Sequence, residues 1–239
     1  MNLPSSVLNL ALPTPKINGS VFLEGERGLV DSINRPHQEI FDLYKKLKKL
    51  DWDEHEFELE KCVNEFKTKP EHLSFKMIQT LAFQWEADSS ASNTIVPMAA
   101  PFVSDSDLWL AYQRIGENEG LHGLAYSEIV KYGMDDATKA MMEVVQNRYA
   151  ANRLRVVAEA FADVQKIGNN IKSGVISRNS DEARQGAMLF STALMVLERI
   201  QFMISFATTF AIGEIDSFMP IVDTVQKIFT DEYTVHIPV

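Results

Sequence analysis

The stretch "SDLWLAYQRIGENEGLHGLAYSEIVKYG", residues 106–133, decides how this chain folds. It has no proline and no period-two alternation, and Leu108, Tyr112 and Ile115 recur at steps of four and three. Such spacing lays a stripe along one face of a helix. The stripe continues through Glu119, His122, Tyr126 and Ile129. A carboxylate, an imidazole and a phenol thus stand on a face that begins and ends apolar. If that face is buried, the charge needs a partner there. Ser104 is the expected cap of this helix and Gly133 its expected stop.

Helical periodicity extends to both sides. "RPHQEIFDLYKKLKKL" (35–50) repeats Ile40, Leu43, Tyr44 and Leu47. A short acidic helix is expected after Trp52. Pro70 then introduces "EHLSFKMIQTLAFQWEADSSAS" (71–92), a region that Pro97 and Pro101 close. "DDATKAMMEVVQNRYAANRLRVVAEAFADVQKI" (135–167) reads as one long amphipathic helix, and "DEARQGAMLFSTALMVLERIQFMISFATTFAI" (181–212) as another. "IDSFMPIVDTVQKIFTDEYTVHIPV" (215–239) follows. Residues 1–34, with Pro4, Pro13, Pro15, "NGS" and "GERG", read as an irregular arm before a domain over 35–239. Long helices with short connections predict an all-α bundle.

Composition narrows the function. With 46% hydrophobic and 23% charged residues, the 239-residue chain suits a soluble globular protein with a sizeable core. Its one cysteine, Cys62, excludes an intrachain disulfide framework and Cys-rich metal sites, and fits a reducing, cytoplasmic compartment. A net charge of −10 argues against nucleic acid as a partner. No Gly-rich phosphate loop occurs. The start lacks the pattern of a signal peptide, and "SFATTFAIG" (205–213) is too short and interrupted for a membrane span, so no membrane partner is expected.

Three further helices repeat the pattern of the first. Ile78, Leu81 and Trp85 lead to Asp88, Leu194 leads to Glu198 and then Phe202 and Phe206, and Ile221, Val225 and Ile228 lead to Glu232. Four helices each send a carboxylate inward, and no Lys or Arg shares their stripes. A metal pair would supply the missing charge. A dinuclear site in a bundle core takes four carboxylates and two histidines, in part through Glu-x-x-His. "EGLH" (Glu119, His122) fits that motif, and "EYTVH" (Glu232, His236) is one residue longer. Two blander readings stand beside it: Asp88 as a helix-ending residue, and Glu198 paired with Arg153 across helices. His37, His55 and His72 read as surface, as do Glu86, Glu117 and Glu128.

In combination these motifs resemble the small, radical-generating subunit of class I ribonucleotide reductase, over roughly residues 20 to 237. "EGLHGLAY", "EADSSAS", "ALMVLERIQFMISFATTFAI" and "IFTDEYTVH" carry the resemblance. It implies a ferritin-like fold, with metal ligands Asp88, Glu119, His122, Glu198, Glu232 (bridging) and His236. It makes Tyr126 the radical residue, Trp52 the electron-transfer tryptophan and Asp231 the acid coupling Trp52 to a ligand histidine. Phe202, Phe206 and Ile228 fall on the apolar positions around the radical. The implied cofactor is two iron ions in a diiron-oxo centre, with manganese as the other candidate. The implied activity is that of ribonucleoside-diphosphate reductase, in which oxidation of Tyr126 is stored for deoxyribonucleotide synthesis by a large subunit. The expected partners are that large subunit and a second copy in a homodimer. The family's histidine falls three residues after the bridging acid, where this chain has Val235. Family members also continue beyond the point matching Val239, into helices and a docking tail, so a separately encoded C-terminal fragment is a further expected partner. The competing expectations are another ferritin-like diiron oxidase and a non-catalytic piece of a split small subunit. Tyr126 and Trp52 together argue against an oxidase or iron-storage relative.

Overall fold

A computed structural model describes residues 20–25, 27–30, 32–33 and 35–239. The rest of the expected arm, residues 1–19 and positions 26, 31 and 34, lies outside the described residues. Among the described residues the helices are α1 (Gln38–Lys49), α2 (Val63–Thr68), α3 (Glu71–Ala99), α4 (Ser106–Gly133), α5 (Ala137–Val145), α6 (Arg148–Lys172), α7 (Asp181–Val196), α8 (Met203–Gly213) and α9 (Met219–Asp231). A 3₁₀ turn, Leu59–Cys62, precedes α2. Two π-helical turns complete the set: Leu197–Phe202 fuses α7 to α8, and Glu232–His236 extends α9. The only β pairing among the described residues is an isolated antiparallel bridge, Phe22 to Val103.

The pair α3–α4 is the backbone of the bundle. A short link (100–105) folds α4 back along α3, so that Gly116 faces Val96, Gly120 faces Ser92 and Gly123 faces Ser89. A Cβ on Gly116 would lie 2.8 Å from Val96 Cγ2, so the absence of a side chain sets how closely these helices approach. On this pair pack α1, α6, α8 and α9, with α7 lying on α6. The arm docks where α3 meets α4. The Leu23 N–H donates to the Phe102 carbonyl at 2.7 Å, and the Ser104 N–H to that of Val21 at 2.9 Å.

Local chemistry moves several expected boundaries. Asp105, not Ser104, caps α4: its Oδ1 accepts from the Asp107 and Leu108 N–H groups at 2.9 and 3.0 Å, while Ser104 Oγ accepts from Glu24 N–H. Pro97 lies within the last turn of α3, which ends at Ala99, between the two prolines expected to close it. The long helix expected over 135–167 is divided, because Asn147 Oδ1 accepts from the N–H groups of Tyr149 and Ala150 and starts α6 afresh. On α3, Leu81 and Asp88 are buried, but Ile78 and Trp85 sit at the edge of the stripe and are half-buried. Glu86 and Glu128 are half-buried rather than solvated, as is His37; Glu117, His55 and His72 are exposed. The stretch expected to be too short for a membrane span is the end of a continuous helix, Asp181–Gly213, whose length and composition would suffice; a third of its most apolar window is buried. Its buried face carries Glu198 into the core.

Candidate metal centre

Four stripes deliver their acids to one place. Asp88 comes from α3; Glu119, His122 and Tyr126 from α4; Glu198 from the first π turn; Asp231 from the end of α9; Glu232 and His236 from the second π turn. All eight side chains are buried, with Asp88, Glu119, His122, Tyr126 and Glu232 at 0% exposure. Ligand atoms fall into two sets, Asp88–Glu119–His122–Glu232 and Glu119–Glu198–Glu232–His236, each spanning no more than 4.8 Å. Glu119 and Glu232 belong to both. Two adjoining sites that share two carboxylates are the geometry of a dinuclear centre.

The hydrogen-bond inventory separates inward from outward atoms. Both oxygens of Asp88, Glu119, Glu198 and Glu232, the Nδ1 of His122 and His236 and the Tyr126 hydroxyl are buried without a hydrogen bond. They crowd one another instead: His122 Nδ1 lies 3.2 Å from Glu232 Oε1 and 3.5 Å from Glu119 Oε2, and His236 Nδ1 lies 2.8 Å from Glu232 Oε2 and 3.3 Å from Glu119 Oε1. The outward nitrogens are satisfied, His122 Nε2 by Asp231 Oδ2 at 3.2 Å and His236 Nε2 by Asn118 Oδ1 at 2.9 Å. Each buried orphan costs about 1–3 kcal/mol, so a cluster of them calls for an occupant. Among the described residues no Lys or Arg forms an ion pair with the four acids. Arg153 does not reach Glu198 as the blander reading held. Its guanidinium donates to the Gln201 carbonyl and lies 3.8 Å over the Phe83 ring. Four carboxylate charges match two divalent cations, and the donor set, carboxylate plus imidazole, is one that iron, manganese and zinc accept.

Electrostatics without metal reflect the same crowding. Burial, then the charge of Glu119, pushes the Asp88 carboxyl well above its ordinary range, and burial with the charge of Glu232 does the same for Glu198. Burial also opposes ionisation of Glu232, but the neighbouring charge of His236 and the close approach of both imidazoles outweigh it and hold Glu232 low. Burial would lower His236, yet the charge of Glu232 raises it to about 9. The Tyr126 phenol is pushed up by burial and then by the charge of Asp88.

The one-residue offset at "EYTVH" has a structural answer. The Ile237 N–H donates to the Glu232 carbonyl at 3.0 Å, the i→i+5 bond of a π turn. The wider turn absorbs the extra residue, and His236 points its Nδ1 at Glu232 as His122 does on α4.

The residues tied to electron transfer by resemblance also meet. The Trp52 indole, 8% exposed, donates from Nε1 to Asp231 Oδ2 at 2.8 Å and lies stacked near His122, with ring centroids 6.2 Å apart. Phe202, Phe206 and Ile228 are buried, with the two phenyl rings stacked at 5.7 Å. Sequence reasoning missed Asn118, whose Nδ2 donates to Asp231 Oδ2 at 3.2 Å. Its position four residues before His122, on the same helical face, was the available signal.

Fold and site together define a ferritin-like helical bundle with a carboxylate–histidine cluster suited to a dinuclear metal centre. A family model described as ribonucleotide reductase, small chain, matches residues 31–237. The chain belongs to that family. It is 22% identical over 215 residues to the ribonucleoside-diphosphate reductase subunit beta of Buchnera aphidicola, covering 84% of this chain and 57% of the relative. It is also 22% identical over 197 residues to the ribonucleoside-diphosphate reductase 1 subunit beta of Salmonella typhimurium, covering 77% and 52%. The chain thus spans little more than half the length of these relatives. Among solved structures it resembles the ribonucleotide reductase R2 subunit of Clostridium botulinum (TM-score 0.72, 15% identity, 84% of this chain and 59% of that one). It also resembles the dimanganese(II)-NrdF of Streptococcus sanguinis (TM-score 0.68, 13% identity, 85% and 66%). At such identities the likeness concerns the fold.

Proposed function

We propose that this chain is the metal-binding, radical-generating core of a class I ribonucleotide reductase small subunit. The observation that carries the proposal is the pair of ligand sets sharing Glu119 and Glu232, with the orphaned Tyr126 hydroxyl beside Asp88. Asp88 and His122 would hold one metal ion and Glu198 and His236 the other, with Glu119 and Glu232 available to both. Iron and manganese both suit these ligands. A bound metal pair, on reaction with oxygen or an oxygen-derived oxidant, supplies oxidising power that the side chains lack.

Tyr126 stores the oxidising equivalent. Its phenol stays protonated at neutral pH, because burial and the neighbouring acids oppose ionisation. Loss of an electron must therefore take the Oη proton too, and Asp88 is the acid that bears most strongly on it. Phe202, Phe206 and Ile228 keep water from the oxidised ring. Trp52 feeds in an electron through Asp231, a single carboxylate between the indole and His122. We place the reduction of ribonucleotides in a separate large subunit, and a second copy of this chain beside it in a homodimer. The Trp52–Asp231–His122 link favours this reading over a ferritin-like oxidase, which needs no such connection.

The test is electron paramagnetic resonance after anaerobic metal loading and exposure to the oxidant. The wild type should give an organic radical signal, and Tyr126→Phe should lose it while keeping its metal. An unchanged radical signal in that variant removes Tyr126 from the role.

A further inference from the structure

One carboxylate oxygen, Asp231 Oδ2, faces three donors: Trp52 Nε1 at 2.8 Å, His122 Nε2 at 3.2 Å and Asn118 Nδ2 at 3.2 Å. A carboxylate only accepts. The Asn118 side chain must therefore turn its NH₂ toward Asp231, which leaves its Oδ1 facing His236 Nε2 at 2.9 Å. An amide oxygen also only accepts, so His236 Nε2 carries a proton, and Nδ1, aimed at Glu119 and Glu232, is the nitrogen left to offer its lone pair to a metal ion. For His122 the same result comes directly, since Asp231 accepts from its Nε2. Asp231 thus orients both imidazoles, one by contact and one through an amide.

We infer that Asn118 is the positioning residue of the His236 site: it fixes the tautomer and ring orientation of His236 and joins that site to the Trp52–Asp231 pair. The inference rests on the reading of the cluster as a dinuclear metal centre. Its physical basis is general. A histidine ligand whose outer N–H is held binds metal more tightly, and loss of such a partner costs about 10–100-fold in affinity. Asn118 is 3% exposed and reaches no ligand oxygen, so its effect must run through His236 and Asp231. It also gives the π turn a fixed end. The wider turn brings His236 to Glu232, and the amide stops the ring from rotating away.

The experiment is a Mn(II) titration of the full chain, following bound ion by electron paramagnetic resonance, in a double-mutant cycle. Asn118→Leu, close in shape but without polar atoms, should weaken one of the two sites by about 10–100-fold and spare the other. The loss should vanish when the variant is made in a His236→Ala background and persist in a His122→Ala background. Asn118→Gln keeps both an acceptor for His236 Nε2 and a donor for Asp231 Oδ2 and should recover part of the lost affinity; it also covers the case in which the leucine variant fails to fold. Equal weakening of both sites, additivity with His236→Ala, or no loss at all overturns the inference. Absence of Mn(II) binding by the wild type overturns the metal-centre reading itself, and the inference with it.

Discussion

Glu119 and Glu232 are the two residues common to both ligand sets, whereas Asp88 and Glu198 each serve one. This difference sets an order among substitutions. Glu119→Ala removes a ligand from both sites and should abolish binding of the pair, while Asp88→Asn or Glu198→Gln should spare one ion. Metal content by mass spectrometry after desalting checks it; two retained ions in Glu119→Ala would refute the assignment. At this scale the sequence was readable because a charged residue on an apolar stripe is conspicuous. Leu108, Tyr112, Ile115, Glu119, His122, Tyr126 and Ile129 are all buried, as their spacing predicts. Asn118 and Asp231 escaped that logic. Neither has an apolar neighbour at every helical step to expose the anomaly, and Asp231 stood out only through family resemblance. The alternative that paired Arg153 with Glu198 stood open because spacing cannot say whether a guanidinium ends at a carboxylate or at a carbonyl.

At the scale of elements, the two π turns are what periodicity could not show. Both fall on a candidate ligand: Leu197–Phe202 holds Glu198 and Glu232–His236 holds Glu232. A π turn amounts to one inserted residue within an α-helix, with no sequence signature of its own. At the first turn the Arg153 guanidinium donates to the Gln201 carbonyl, while Gln201 Nε2 donates back to the Arg153 carbonyl at 2.9 Å. Arg153→Met should therefore destabilise the chain by about 1 kcal/mol, read as a lower Tm, because it removes this hydrogen bond between α6 and the π turn. An unchanged Tm would show that the bond carries little. The second turn has a sharper test. Deleting Thr234 should let the turn close as α-helix and restore the Glu-x-x-His spacing of Glu119 and His122. Two metal ions should still bind. Loss of the His236-side ion in the deletion variant would mean that the π geometry itself is required. The division between α5 and α6 is marked in the sequence by Asn147, a strong cap residue, but the amphipathic pattern runs straight through it.

For the whole molecule, the bundle is a scaffold that holds four acids in a dry core, and its cost shows as a link between protons and metal. Without metal, Asp88 and Glu198 hold their protons to higher pH than ordinary carboxyls, because burial and neighbouring acids raise them, and His236, at about 9, is protonated near neutral pH. A raised carboxyl makes the folded chain bind more protons than the unfolded one. The metal-free chain should thus lose stability as pH rises from the ordinary carboxylate range through those raised values. His236 acts in the same direction: its contribution is complete below the ordinary imidazole value and fades as pH rises through about 9. Glu232 acts oppositely, adding stability above the ordinary carboxylate range that is lost as pH falls. Metal must displace the protons on Asp88, Glu198 and His236, so its affinity should rise with pH and binding should release protons. Calorimetry in buffers of different ionisation enthalpy measures this release, and proton uptake on binding would contradict it. Fold class was the most legible feature at this scale, since long helices and short links leave few alternatives. Depth of burial at stripe edges, as for Ile78 and Trp85, depends on neighbours that the sequence does not place.

The most direct measurement of the central claim is the electron paramagnetic resonance spectrum of the Mn(II)-loaded chain. Two ions that share Glu119 and Glu232 interact magnetically. At two equivalents the account predicts a spin-coupled spectrum in place of the six-line signal of isolated Mn(II), and recovery of an isolated signal in Glu198→Gln. Two uncoupled six-line signals, or saturation at one ion per chain, would contradict it.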